Sequence, residues 1–445
     1  MARVGAAGGG GLGMAGPARP CRVVRGPSIE RPAVGSWIAR EAPSTRSPPN
    51  IRPMTRATAA GAPVDPGHAG GARPALSTIG ERDLAGLLRE LGQPSWRARQ
   101  LREATWHPYV GGFEEIRQLP GGLRVELDHR LRFSKAAVTS ERVADAGQTL
   151  KLLCALDGPQ TVETVAMESP ARGASGRRAT VCVSTQVGCA VGCPFCATGR
   201  MGLRRSCTPA EVVDQVRLAG QALFRHALGP VTHVVYMGMG EPLAAYETTL
   251  ASLRVLVAAG GISPRRITVS TSGVVPGIRR LSTEGLPVTL AVSLHAASDE
   301  LRNRLVPLNR AHPLDGLVAA AGAYARATGR RLSLEWCLIG GVNDGLDQAA
   351  GLVAIARRLG AHVNVIPMNR IVGSPWGPPA AAVGRAFMRH LTGAGVTVTV
   401  RDTRGGEAEA ACGQLRAALE PRRQLRPDGT LTPQRPVRRG ASIRG

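Results

Sequence analysis

The sequence predicts an α/β protein in which a partial, open barrel of parallel strands follows a small N-terminal helical domain. Three observations carry that expectation. Apolar, β-branched runs recur at Val181–Val183, His233–Tyr236, Ile267–Val269, Val288–Ser293, Leu332–Ile339, His362–Ile366 and Val396–Val400. Segments with helical spacing lie between them, for example Pro209–Arg225, Thr248–Ala259, Leu314–Ala327 and Asp347–Leu359, and parallel strands need such crossovers. Upstream, Leu84, Leu87, Leu88 and Leu91 fall at helical spacing, followed by helical stretches around Trp96–Trp106 and Leu123–Leu131. Six or seven strand–helix units fall short of a closed eightfold barrel, and a doubly wound sheet is the second choice.

In chain order, residues 1–75 are dominated by Gly, Pro, Ala and Arg without a helical or strand period, and read as a disordered extension. Residues 76–135 form the helical domain. Residues 136–178 alternate like a β-hairpin linker (Leu150, Leu152, Cys154, then Val162 and Val165). The α/β core spans 179–420, and 421–445 form a basic disordered tail.

Of 445 residues, 56 are Lys or Arg and 32 are Asp or Glu, a net charge of +24 that suits a polyanion such as nucleic acid. Only Lys135 and Lys151 are lysines. That points to a GC-rich coding bias, so charge alone does not establish nucleic-acid binding. No apolar stretch approaches the ~20 residues of a transmembrane helix. Glycines interrupt the N-terminus, so it lacks the apolar core of a secretory signal. Nine cysteines are too few for a disulfide scaffold. The expected compartment is the cytoplasm, where clustered cysteines read as metal ligands or catalysts.

The chemistry should lie at the carboxyl ends of the strands. The first core strand runs into Ser184-Thr185-Gln186-Val187-Gly188, then Cys189-x3-Cys193-x2-Cys196. Three thiols within eight residues can close round one soft metal centre, with Gly188, Gly192 and Pro194 supplying the turns. Three ligands leave a position open, which separates a catalytic site from a structural one. The alternative is zinc, completed by Cys207 or His226. Gly238-Met-Gly240-Glu241-Pro242 ends the second strand, where glycines allow close backbone approach and a carboxylate can accept from an ammonium group. Ser270-Thr-Ser-Gly273, Ser293-Leu294-His295 and Pro367-Met-Asn369 end later strands. Cys182 lies within the first core strand, and Cys412 follows Arg404-Gly-Gly406 after the last.

Cys189, Cys193 and Cys196 resemble the cluster ligands of the radical S-adenosylmethionine (SAM) superfamily, whose fold is a partial (βα)6 barrel. With Cys182, Cys412, the strand-end motifs and Val342-Asn-Asp-Gly345, the chain from about Leu84 to Leu415 is similar to the RlmN-type dual-specificity RNA methyltransferases. That family methylates C2 of adenosine in 23S rRNA and in some tRNAs. The resemblance implies that Cys189, Cys193 and Cys196 hold a 4Fe–4S cluster with one iron open to SAM. SAM, two per turnover, would contact Gly240, Glu241, Ser270, Ser293, Leu294, His295 and Asn369. Cys412 would carry the methyl group, and Glu163 would accept the C2 proton. Cys182 would resolve the protein–RNA adduct by a transient disulfide with Cys412, which needs their Cα atoms within ~7 Å in one conformation. An Ala-Arg-Gly-Ala-Ser-Gly insertion at about 171–176 departs from the family pattern and leaves Glu168 as a weaker rival to Glu163.

The resemblance also implies an RNA-binding role for the helical domain, an electron donor such as flavodoxin, and a monomer without membrane attachment. Aromatic residues make up 3% of the chain and offer no clear stacking platform, so grip on RNA would rest on Arg–phosphate contacts. Two rival functions remain: Cfr-like methylation at C8 of the same adenosine, and a non-catalytic, zinc-stabilised RNA-binding protein.

Overall fold

The computed structural model of the protein describes residues 73–169, 177–371, 373–401 and 413–415. The expectations for residues 1–72, for Cys412 and for the C-terminal tail lie outside the described residues.

Three helices open the described chain: α1 (Glu81–Glu90), α2 (Arg97–Thr105) and α3 (Gly121–Arg130). Their apolar positions meet in a core of their own, where Leu84 and Leu88 pack with Leu101, Phe113, Leu123 and Leu127. The i, i+4 spacing of Leu84 and Leu88, and again of Leu123 and Leu127, places each pair on one helix face.

Twelve strands follow: β1 (Ala136–Ala144), β2 (Thr149–Leu156), β3 (Thr161–Ser169), β4 (Arg178–Cys182), β5 (Gln186–Val187), β6 (Arg205–Ser206), β7 (Val231–Tyr236), β8 (Ile267–Thr271), β9 (Thr289–Ser293), β10 (Ser333–Leu338), β11 (His362–Pro367) and β12 (Val398–Val400). All except β5 and β6, which pair with each other, form one sheet in the order β1-β2-β3-β4-β7-β8-β9-β10-β11-β12. From β4 to β12 every pairing is parallel. The crossovers carry α4 (Ala197–Met201) and α5 (Pro209–Arg225) after β4, α6 (Tyr246–Ala258), α7 (Val275–Leu281), α8 (Asp299–Leu305) with α9 (Leu314–Thr328), α10 (Leu346–Leu359) and α11 (Ala381–Gly393). This is the expected partial (βα)6 barrel, followed by β12 as a further parallel strand.

Residues 136–178, expected as a hairpin linker, instead supply three antiparallel strands that continue the sheet beyond β4. The barrel wall is therefore wider than the sequence pattern suggests. The helical domain docks against α5, where Arg217 Nε donates to the Thr105 carbonyl (2.6 Å) and Gln221 Nε2 to that of Val110 (2.8 Å). Arg217 also stacks over Phe133, 4.8 Å from the ring centre.

The sheet is two-faced. Val181, Val234, Val269, Leu290, Val292, Leu334, Trp336, Val363 and Val365 alternate to one side and are buried. Trp336, for instance, meets Phe387 of α11 at 5.9 Å. The opposite face is polar. Direct pairings put Cys182 beside Val235, Val235 beside Thr268, Ser293 beside Glu335, and Glu335 beside Asn364. Paired residues point the same way, so these side chains line the inner face of the barrel.

Candidate active site

Beyond β4, the short β5–β6 ribbon holds the cysteine loop. Gly188 and Gly192 have φ of +75° and +72°, in the left-handed region that the turns require. A Cβ on Gly188 would overlap the Gly202 carbonyl oxygen, and one on Gly199 would come within 2.7 Å of the Cys193 oxygen. The Cys196 N–H donates to the Cys193 carbonyl (3.1 Å), and the Ala197 N–H starts α4 by donating to the Gly413 carbonyl (2.8 Å). Thr198 Oγ1 adds a bond to the Leu415 carbonyl at 2.6 Å. The segment just after Cys412 is thus tied directly to the loop of three cysteines.

Cys189, Cys193 and Cys196 border one cavity, which also reaches Gly240, Glu241, Ser270, Ser293, His295 and Asn369. It encloses about 1090 Å3, part of it open to solvent, and lies at the carboxyl ends of the parallel strands. Leu294, also expected to contact SAM, does not border the cavity. It is buried, and its N–H donates to the Glu335 carbonyl at 3.0 Å. Alternation turns its side chain away from Ser293 and His295.

Burial raises all three thiols above their ordinary range, Cys189 to about 12, and the neighbouring thiols push Cys193 further up. Charged thiolates in this apolar setting need a cation to offset them. Among the described residues, no three His, Cys, Asp or Glu side chains converge tightly enough for a single metal ion. Three thiols bordering one cavity are a donor set that a 4Fe–4S cluster can take, each thiolate on a separate iron. The proposed fourth zinc ligands lie elsewhere. His226 pairs with Glu141 on β1, and Cys207 is buried close to Glu211 and Cys154.

Glu241 is fully enclosed. Its carboxylate accepts from the N–H of Ser272 (2.6 Å) and of Leu243 (3.1 Å), while burial raises its pKa. Its own N–H donates to Gln186 Oε1 at 2.9 Å. The glycines around it have a different task from the one expected. A Cβ on Gly238 would lie 2.6 Å from the Val183 oxygen, and one on Gly240 2.7 Å from Gln186 Cβ. The loop after β7 is therefore pressed against the loop after β4, and glycine is required by that packing before any ligand arrives.

His295 has φ of +60°, a backbone region that His tolerates better than most residues. Its Nδ1 accepts from the Cys337 N–H at 2.9 Å, which leaves the ring proton on Nε2, and Asn343 Nδ2 donates to its carbonyl at 2.8 Å. Burial, helped by Arg302, pushes its pKa down to about 3, so the imidazole is neutral at pH 7. Phe195, between two of the cysteines, meets the ring edge-to-face at 4.9 Å.

Arg302 is completely buried. It donates to the carbonyls of Leu294 (3.0 Å), Ser272 (2.6 Å) and Ser293 (3.1 Å) and to Asn309 Oδ1 (2.7 Å). One guanidinium thus clamps the ends of β8 and β9. Its helical position hides this role in the sequence, where it reads as surface charge.

Cys182 and Glu163 stand beside the cavity, not among its lining residues. Val165 pairs directly with Cys182, so Glu163, two residues along β3, shares the inner face with that thiol. Glu163 is buried and ion-paired with Lys151 Nζ at 2.9 Å. Glu168 has the opposite parity, and its carboxylate takes the Gly229 N–H at 2.7 Å. Glu335, Cys337 and Arg401 border the cavity without any strand-end motif to mark them.

Residues 183–352 match the family model of the radical SAM superfamily. The chain is 45% identical over 354 residues to a probable dual-specificity RNA methyltransferase RlmN of Salinispora tropica, covering 77% of this chain and 94% of that one. A protein of the same name from Mycolicibacterium paratuberculosis is 46% identical over 351 residues, covering 77% and 94%. The crystal structure of a radical SAM methyltransferase from Sphaerobacter thermophilus superposes with a TM-score of 0.73 at 43% identity, covering 77% of this chain and 99% of that one.

Proposed function

Because the chain belongs to the RlmN family of dual-specificity RNA methyltransferases within the radical SAM superfamily, we propose that it methylates C2 of an adenosine in 23S rRNA and in some tRNAs. It is a radical SAM RNA methyltransferase. The observation that carries the finer reading is the cavity bordered by the three cysteines and by the ends of successive strands.

In this reading the thiolates of Cys189, Cys193 and Cys196 hold a 4Fe–4S cluster. Glu241, Ser270, Ser293, His295 and Asn369 hold SAM, with the backbones of Gly240 and Leu294 shaping its pocket. When bound, cluster and SAM supply the methyl group and the radical chemistry, at two SAM per turnover. The protein's own groups do the rest. The Cys412 thiolate takes the methyl group, because C2 of adenine is an electrophilic carbon and cannot attack a sulfonium methyl itself. Glu163 removes the C2 proton. The Cys182 thiolate then attacks the Cys412 sulfur, releasing methylated RNA and leaving a Cys182–Cys412 disulfide for reduction.

The shared inner face of Glu163 and Cys182 supports these two roles and favours Glu163 over Glu168. The helical domain binds RNA, a flavodoxin-like protein supplies electrons, and the enzyme works as a cytoplasmic monomer. Among the described residues, no helix is long and apolar enough to cross a membrane.

Anaerobic cluster reconstitution tests the reading, followed by turnover with SAM and an rRNA fragment and mass spectrometry of the digested RNA. 2-Methyladenosine is expected. 8-Methyladenosine would move the reaction to the Cfr-like position. A colourless zinc protein that leaves RNA unmodified would overturn the proposal.

A further inference from the structure

Glu335 lies inside β10, away from the strand-end motifs, and the proposed function gives it no task. Its side chain is 5% exposed. Oε1 accepts from Ser333 Oγ at 2.7 Å and from Asn364 Nδ2 at 2.8 Å, which fixes the orientation of the carboxylate. Among the described residues, Oε2 has no hydrogen-bond partner, yet Glu335 borders the cavity. A buried, oriented acceptor is costly to leave unsatisfied, so an orphan of this kind calls for an incoming donor.

Arg401 supplies the complementary half. It follows β12, and its Nε lies 4.0 Å from Oε2. Its Nη1 is 3.8 Å from Met237 Sδ, just past the end of β7, so the guanidinium spans the bore of the barrel. The two side chains together offer one acceptor and one charged donor to the same space.

Adenine carries the matching pair, an N6 amine donor next to the N7 acceptor, on the edge remote from C2. Guanine presents O6 there, an acceptor facing a carboxylate. We propose that Glu335 and Arg401 read the target base, Oε2 accepting from the N6 amine and the guanidinium donating to N7, with C2 left facing the methyl-carrying cysteine. This inference rests on the adenosine-methyltransferase reading. It adds the groups that select adenine.

The adenine of SAM has the same edge, so the test must separate the two sources. Reconstituted full-length enzyme is assayed on two RNAs that differ only at the target base, adenine or purine, the latter lacking the 6-amine. The measurement is the adenine-to-purine ratio of kcat/KM in wild type against Glu335→Gln, because the intrinsic reactivity of each base cancels between enzymes. In Glu335→Gln the amide oxygen must keep accepting from Asn364. The amide NH2 therefore takes the Oε2 position and meets the amine donor to donor. The expected result is a loss of roughly 10- to 100-fold on adenine RNA, little change on purine RNA, and an unchanged KM for SAM, which also shows that the variant is folded. An equal loss on both RNAs with a raised KM for SAM would assign Glu335 to the cofactor's adenine and overturn the proposal. So would an unchanged adenine-to-purine ratio. A wild-type enzyme inert on both RNAs would instead strike down the adenosine reading from which the proposal starts.

Discussion

Lys151 Nζ stands 2.9 Å from the Glu163 carboxylate, and both side chains are more than nine-tenths buried. The two residues occupy neighbouring antiparallel strands, β2 and β3, on the sheet face that also carries Cys182. A carboxylate taken out of water at that depth needs a compensating charge, and Lys151 provides it.

Removing only the lysine should expose that dependence. Lys151→Met is expected to lower stability by about 3 kcal/mol, because an uncompensated buried carboxylate remains. The double variant Lys151→Met with Glu163→Leu should recover most of the loss. Urea unfolding of wild type and the two variants measures both effects, and a Lys151→Met protein as stable as wild type would show that the pair does not matter to the fold.

His295 predicts a pH effect of definite sign. Its folded pKa is about 3, against about 6.5 in an unfolded chain. The fold therefore favours the neutral ring, and unfolding takes up a proton between those values. Stability from this group is complete above about pH 6.5 and falls as the pH drops towards 3, by up to about 1.4 kcal/mol per pH unit. Unfolding of the metal-free chain at pH 7, 5 and 4 should show a shallower decline for His295→Asn, which tolerates the same backbone conformation. Parallel curves would contradict the burial of a neutral imidazole.

Two glycines separate backbone strain from steric overlap. Gly92 has φ of +67° and nothing within 4 Å of an added Cβ, whereas on Gly188, at +75°, the Cβ would run into the Gly202 carbonyl. Gly92→Ala should cost about 1 kcal/mol from conformation alone. Gly188→Ala should cost clearly more and reduce iron uptake on reconstitution, since it displaces the chain next to Cys189. Thermal unfolding and iron content read the two consequences, and equal behaviour of the variants would refute the distinction.

Local pattern explains what was legible in the sequence. The seven parallel strands announce themselves by apolar β-branched runs, and α5 by the helical spacing of Pro209–Arg225. The three cysteines and the strand-end glycines were readable because their chemistry is compressed into a few consecutive residues. β1 was harder. It is an edge strand with mostly exposed, polar side chains, so nothing in Ala136–Ala144 signals that it extends the main sheet. Glu335 and Arg302 escaped notice for another reason. One sits mid-strand and the other on a short helix: the sheet register brings Glu335 to the cavity wall, and the return of α8 lays Arg302 against the ends of β8 and β9. Leu294 shows the reverse case: a residue embedded in a strand-end motif whose side chain alternation turns outward.

The pairing of Ser169 with Arg178 ends a locked β3–β4 ladder, and the extra residues at 171–176 fall between those two positions in the sequence. Their number is uncoupled from the alignment of Glu163 with Cys182. That makes the connection a natural grafting point. A reporter peptide or affinity handle spliced there should leave the register of Glu163 and Cys182 unchanged.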